Sequence, residues 1–199
     1  EPAVSSAASL PLEILKSAER GELQKVVEWL RKGGAVDALP SKTTTDGRPT
    51  TTTLLHIATA NDHLEMVGEL LKRGASVDLP TSVGTTALMA AAYHGHLSTL
   101  LVLLQHSAHP DLQDTDGVTA LMMAASNGHE ACVQALLRDR ANTELVDKRS
   151  FTALRWAESR GHTAIAELVR QHAALPQPPD AAPAAPLDAG EPAVSSAAS

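Results

Sequence analysis

Residues 53–63 read TLLHIATANDH, 86–96 read TALMAAAYHGH, 119–129 read TALMMAASNGH and 152–162 read TALRWAESRGH. The four opening threonines, Thr53, Thr86, Thr119 and Thr152, stand 33 residues apart each time. No gap is needed across these units, and the ends of the segments keep the same period, from Asp62 to Gly95, Gly128 and Gly161. Further along each unit a second pattern recurs, as LLKRGASVD from Leu70, LLQHSAHPD from Leu103 and LLRDRANTE from Leu136. A fixed period of this size is the mark of a solenoid. Each unit is too small to bury its apolar face alone and does so by stacking on its neighbours.

A fifth unit lies upstream. EILKSAERGELQKVVEWLRKGGAVD, from Glu13 to Asp37, aligns when Gly21 is matched to Asp62, one period plus an insertion of 8 residues. Leu23, Val26, Leu30 and Asp37 then match Leu64, Val67, Leu71 and Asp78. This unit offers Glu13 and Lys16 where the others open on threonine, which suits a capping repeat with a wet outer face. At the other end, Arg170 takes the place of an apolar residue and suits a C-terminal cap.

The units resemble the ankyrin-repeat family, whose period and Thr-Pro-Leu-His-x-Ala signature they share. Thr53, Leu55, His56 and Ala58 match it, while Ala87, Ala120 and Ala153 stand for the proline and Met89, Met122 and Arg155 for the histidine. The resemblance implies an all-α solenoid of five stacked helix-turn-helix units with finger turns. The units fall at about 10–38, 53–80, 81–113, 114–146 and 147–174, with an inserted finger at 39–52. It also implies that His56, His63, His96, His129 and His162 are structural, their rings bridging neighbouring backbone turns. Alanine pairs 91–92 and 124–125 let helices approach closely, and glycines 95, 128 and 161 suit a bend with positive φ.

Composition agrees with a stack of small side chains. Aromatics are 2% of the 199 residues, so the core is aliphatic. The net charge of −7 argues against nucleic-acid binding through a general basic field. Cys132 is the one cysteine, so no intramolecular disulfide forms, which favours a reducing, cytoplasmic setting with the nucleus as a further compartment. No signal peptide or membrane span is expected. Residues 175–199 are rich in Pro and Ala without apolar periodicity and read as a disordered tail, and 1–9 as a flexible flank. Both 1–9 and 191–199 read EPAVSSAAS, consistent with one period of a longer tandem array or with the same flank cut in twice.

Candidate chemistry is sparse. Nine histidines invite a metal reading, but zinc needs three or four converging ligands, and the repeat already accounts for five of the rings. His129 and Cys132 lie three apart on one expected helix, yet Cys132 aligns with inward-facing Met66 and Thr99, so it reads as core and not as a nucleophile. DGRPTTTT lacks the Gly-Lys-Ser/Thr of a phosphate loop. No catalytic residue, cofactor or metal is expected.

The function expected is therefore binding of another protein, as an adaptor or scaffold; the alternative is a regulatory or targeting domain of a larger polypeptide, an enzyme or a channel. In the family, the concave groove is built from finger turns and the exposed side of each first helix. Register puts Ala90, Tyr93 and His94 there in the third unit, Met123, Ser126 and Asn127 in the fourth, and Trp156, Ser159 and Arg160 in the fifth. Thr85, Val118 and Phe151 are the fingertip residues. Of these, Tyr93, His94, Met123, Ser126, Asn127, Phe151, Trp156, Ser159 and Arg160 are the expected partner-binding set. Two smaller expectations concern other faces. Residues 81–113 hold no Lys or Arg and present Leu101 at a position usually open to water, which suggests weak self-association through the third unit. Asp78 and Asp111 match places at which some ankyrin domains are hydroxylated.

Overall fold

The computed structural model describes residues 10–40 and 52–174. The expected flanks at 1–9 and 175–199, and the expected finger at 39–52 apart from Leu39, Pro40 and Thr52, lie outside the described residues.

Ten helices are described, in five antiparallel pairs: α1 Leu12–Glu19 with α2 Leu23–Arg31, α3 Leu54–Ala60 with α4 Leu64–Lys72, α5 Ala87–His94 with α6 Leu97–Gln105, α7 Ala120–Asn127 with α8 Glu130–Arg138, and α9 Ala153–Ser159 with α10 Thr163–Ala173. The first helices stack in one row, α1 on α3, α3 on α5, α5 on α7 and α7 on α9; α4, α6, α8 and α10 form a second row. Between the rows runs a single aliphatic core, with Leu55, Leu88 and Leu121 of the first helices and Leu70, Leu103 and Leu136 of the second almost wholly buried. Alanines 91, 92, 124 and 125 are fully buried, which lets the first row pack closely.

Each periodic threonine starts a helix. Thr53, Thr86, Thr119 and Thr152 have extended backbone, and each hydroxyl accepts the N–H three residues on, at 3.4, 3.3, 3.3 and 3.3 Å. That contact satisfies one of the orphan donors at a helix start. At the bend into the second helix Gly95 has φ 76°, and a Cβ there would lie 2.5 Å from Nδ1 of His129. The glycine is thus required twice over, by the left-handed backbone and by the ring of the next repeat.

That ring belongs to the expected histidine ladder. Nε2 of His63 donates to the carbonyl of Glu19 at 3.0 Å, His96 to Ala60 at 3.3 Å and His129 to Tyr93 at 3.0 Å. His162 repeats the placement, its ring against Gly128. His56 works differently. Its Nε2 donates to the carbonyl of Thr85 at 3.0 Å, so Nδ1 is the acceptor for the Thr53 hydroxyl at 2.9 Å. Burial of this ring holds its pKa below the ordinary histidine value.

At the opposite edge carboxylates tie consecutive repeats. Asp37 accepts from the backbone N–H of Ser76 at 3.1 Å, Asp78 from that of His109 at 3.1 Å and Asp111 from that of Asn142 at 2.7 Å. The carboxylates of Asp78 and Asp111, the expected modification positions, are therefore engaged between repeats. At the C-terminal end Arg170 is exposed and paired with Glu158 at 2.8 Å and Glu167 at 2.7 Å, in keeping with a wet outer face.

Candidate functional site: the concave groove

The finger turns are shaped by aspartates. Oδ1 of Asp114 accepts from the N–H groups of Asp116 and Val118 at 2.9 and 2.8 Å, and Oδ1 of Asp147 accepts from those of Arg149 and Phe151 at the same two distances. These are Asx turns, in which a short side chain replaces a backbone acceptor. One backbone bond joins each finger to the next, Thr115 N–H to the carbonyl of Val83 at 3.0 Å and Lys148 N–H to that of Asp116 at 2.9 Å. Gly84 and Gly117 let the fingers touch, since a Cβ at Gly84 would meet the backbone of Thr115 at 2.8 Å. Fingers and first helices are thereby held at a fixed angle, and a groove opens between them.

The groove has a volume of about 310 Å3 and runs from Tyr93 on α5 past Met123 and Ser126 on α7 to Trp156 on α9 and its C-cap Arg160. Five of the nine expected residues, Tyr93, Met123, Ser126, Trp156 and Arg160, are brought together there. His94, Asn127, Phe151 and Ser159 do not line it. His94 stacks on His96 with ring centroids 5.4 Å apart, and its pKa is lowered, chiefly by desolvation and then by His96 and His129. Asn127 and Ser159 spend their polar groups on the carbonyls of Met123 at 2.8 Å and Trp156 at 2.9 Å. Phe151 packs edge-on to Trp156, with centroids 5.5 Å apart, and carries the guanidinium of Arg155 over its ring at 4.3 Å.

Six lining residues were not among the expected set: Met122 on α7, and Asp116, Val118, Asp147, Lys148 and Arg149 on fingers. The signal for the last three lies in the DKRS stretch just before Phe151, which the repeat register places on the finger rather than on a helix. Tyr93 is 52% exposed, with its backbone carbonyl held by His129. Its ring is open to solvent and edge-on to His94 at 5.0 Å between centroids.

Cys132 is fully buried, burial pushes its thiol pKa up, and the His129 ring is turned to the Tyr93 carbonyl. Among the described residues no three His, Cys, Asp or Glu side chains converge as metal ligands, and no helix is long and apolar enough to cross a membrane.

A family model for ankyrin repeats, in three copies, matches residues 14–114 and 103–180, most of the chain. The chain belongs to the ankyrin-repeat family. Ankyrin repeats are in general modules of protein–protein interaction. No curated protein matches the chain. Here the ankyrin fingers and first helices build the groove, and the ankyrin histidine ladder and capping threonines hold its floor.

Proposed function

We propose that this ankyrin domain, residues 10–174, is an adaptor or scaffold module that binds a segment of another protein in the groove of its third to fifth repeats. The observation that carries the reading is the line of Tyr93, Met123 and Trp156 along one concave surface, with Tyr93 half exposed. Aromatic and arginine side chains in partly desolvated clefts supply most of the energy in protein interfaces. The single buried thiol supports a reducing, intracellular setting.

The test is capture of partners by the full chain, identified by mass spectrometry and then measured with purified partner. Tyr93→Ala and Met123→Glu each weaken binding by about tenfold or more while circular dichroism is unchanged. Normal binding by both variants would remove the groove as the site. A regulatory domain within a larger polypeptide would use the same groove in cis, and the complete open reading frame separates that from an independent adaptor.

A second, weaker reading concerns self-association. Leu101 on α6 is 42% exposed, away from the groove. If the third repeat pairs with a second copy, Leu101→Glu converts a dimer to a monomer in sedimentation, and a wild-type monomer at high concentration overturns the reading.

A further inference from the structure

Resting on that groove reading, we infer that the segment the groove accepts is acidic, an extended stretch of another protein in which an apolar side chain is flanked by carboxylates. The chain as a whole carries −7, yet the fifth-repeat end of the groove is rimmed by Lys148, Arg149 and Arg160. Arg149 and Arg160 form no ion pair among the described residues. Both stand near the ring of Trp156 instead, their guanidinium carbons 5.4 and 5.8 Å from its centroid. A cation–π contact at an exposed site holds a guanidinium weakly and leaves its fork of N–H donors open to a carboxylate.

The acids nearby do not neutralise these donors. Asp147 is buried, and its two oxygens already accept from Arg149 N–H, Phe151 N–H and the indole N–H of Trp156. Glu158 is turned to Arg170 at 2.8 Å. Asp116, exposed on the rim of the groove, pairs loosely with Lys148 at 3.9 Å and so offsets that lysine rather than the two guanidiniums. Two forked cations, without an ion-pair partner among the described residues, thus flank one fixed indole, beside an apolar floor of Met123 and Tyr93. Bidentate pairing with carboxylates is what a guanidinium fork does best, and the apolar floor needs a matching side chain between them. Nucleic acid is disfavoured as the occupant because the rest of the surface repels it.

The experiment is selection of an unphosphorylated random peptide library on the full chain, repeated on the double variant Arg149→Glu, Arg160→Glu, whose fold is checked by circular dichroism. Enriched peptides are expected to carry Asp or Glu on both sides of an aromatic or long aliphatic residue. They bind at least about tenfold more weakly to the double variant and lose affinity as salt is raised. Peptides that need Tyr93 and Met123 but are neutral or basic overturn the acidic inference and leave the groove reading standing. A library that yields nothing dependent on Tyr93 or Met123 overturns both. Enrichment confined to sequences like the chain's own 186–191 segment, PLDAGE, overturns a foreign partner in favour of the tail. Equal competition by a single-stranded oligonucleotide overturns a peptide ligand.

Discussion

The indole N–H of Trp156 donates to Oδ2 of Asp147 at 3.1 Å, while Oδ1 of the same carboxylate closes the last finger turn. Asp147 is 6% exposed, so Trp156 is both a wall of the groove and the partner of a buried charge. A binding loss on truncating this ring would therefore mix two causes, which makes Tyr93 and Met123 the cleaner probes of the groove.

Trp156→Ala leaves Oδ2 of Asp147 without its donor and is expected to destabilise the domain by about 1–3 kcal/mol, with lost ring contacts added. Trp156→Phe keeps most of the ring and removes only the donor, so its urea midpoint falls between wild type and Trp156→Ala. A midpoint for Trp156→Phe equal to wild type would show that the hydrogen bond contributes nothing.

Ser107 and Arg140 have φ of 63° and 64° at the position where the second repeat has Gly74. Side chains with a Cβ are strained there, so Ser107→Gly and Arg140→Gly each raise stability by about 1 kcal/mol. Gly95→Ala and Gly161→Ala go the other way and by different amounts. Both sites have similar φ, 76° and 77°, but only the first puts its Cβ against a histidine ring; among the described residues nothing lies within 4 Å of a Cβ at Gly161. Equal losses in thermal melts would sink the argument that the ring of the next repeat demands the glycine.

His56 is held neutral by burial, with a folded-state pKa below its unfolded value. Above the unfolded pKa, about 6.5, the ring is neutral in both states and has no effect on stability. As pH falls below that value the unfolded chain binds the proton first, so stability drops until the folded pKa is reached. His56→Met, which copies Met89 and Met122, is expected to flatten the fall in urea midpoint between pH 7.5 and 5.5. For one proton the difference is at most about 1.4 kcal/mol per pH unit. An unchanged pH profile in the variant would assign the acid sensitivity to other groups.

Thr59 is fully buried on α3, and its hydroxyl has no hydrogen-bond partner among the described residues. The corresponding positions in the next two repeats are Ala92 and Ala125. Thr59→Ala removes an unsatisfied polar atom and improves helix propensity, at the cost of one buried methyl. A gain of about 1 kcal/mol in chemical denaturation is expected; a loss would mean that the hydroxyl has a partner after all.

The helical stack is legible in the chain alone. Its determinants are local and recur every 33 residues: a threonine that caps, a glycine that bends, and alanines and leucines at helical spacing. Burial of Leu88, Leu121 and Cys132 could be read from register, because it follows from where a residue sits on its own helix, whereas the ladder from His63 to His129 was implied by the family resemblance. The electrostatics of the groove, by contrast, arise from contacts between fingers that no single repeat encodes. Whether Arg149 and Lys148 turn into it depends on how one finger lies on the next, through the bond from Lys148 N–H to the Asp116 carbonyl, and no period records that angle. The same holds for Trp156, which register marks only as groove-facing; its tie to Asp147 needs a finger and a helix 9 residues apart to meet in space. His94, Asn127, Phe151 and Ser159 do not line the cleft between Tyr93 and Arg160, for the converse reason. They occupy the right register on their units, but neighbouring rings and carbonyls at short range capture their side chains, and a repeat pattern specifies backbone position rather than side-chain direction.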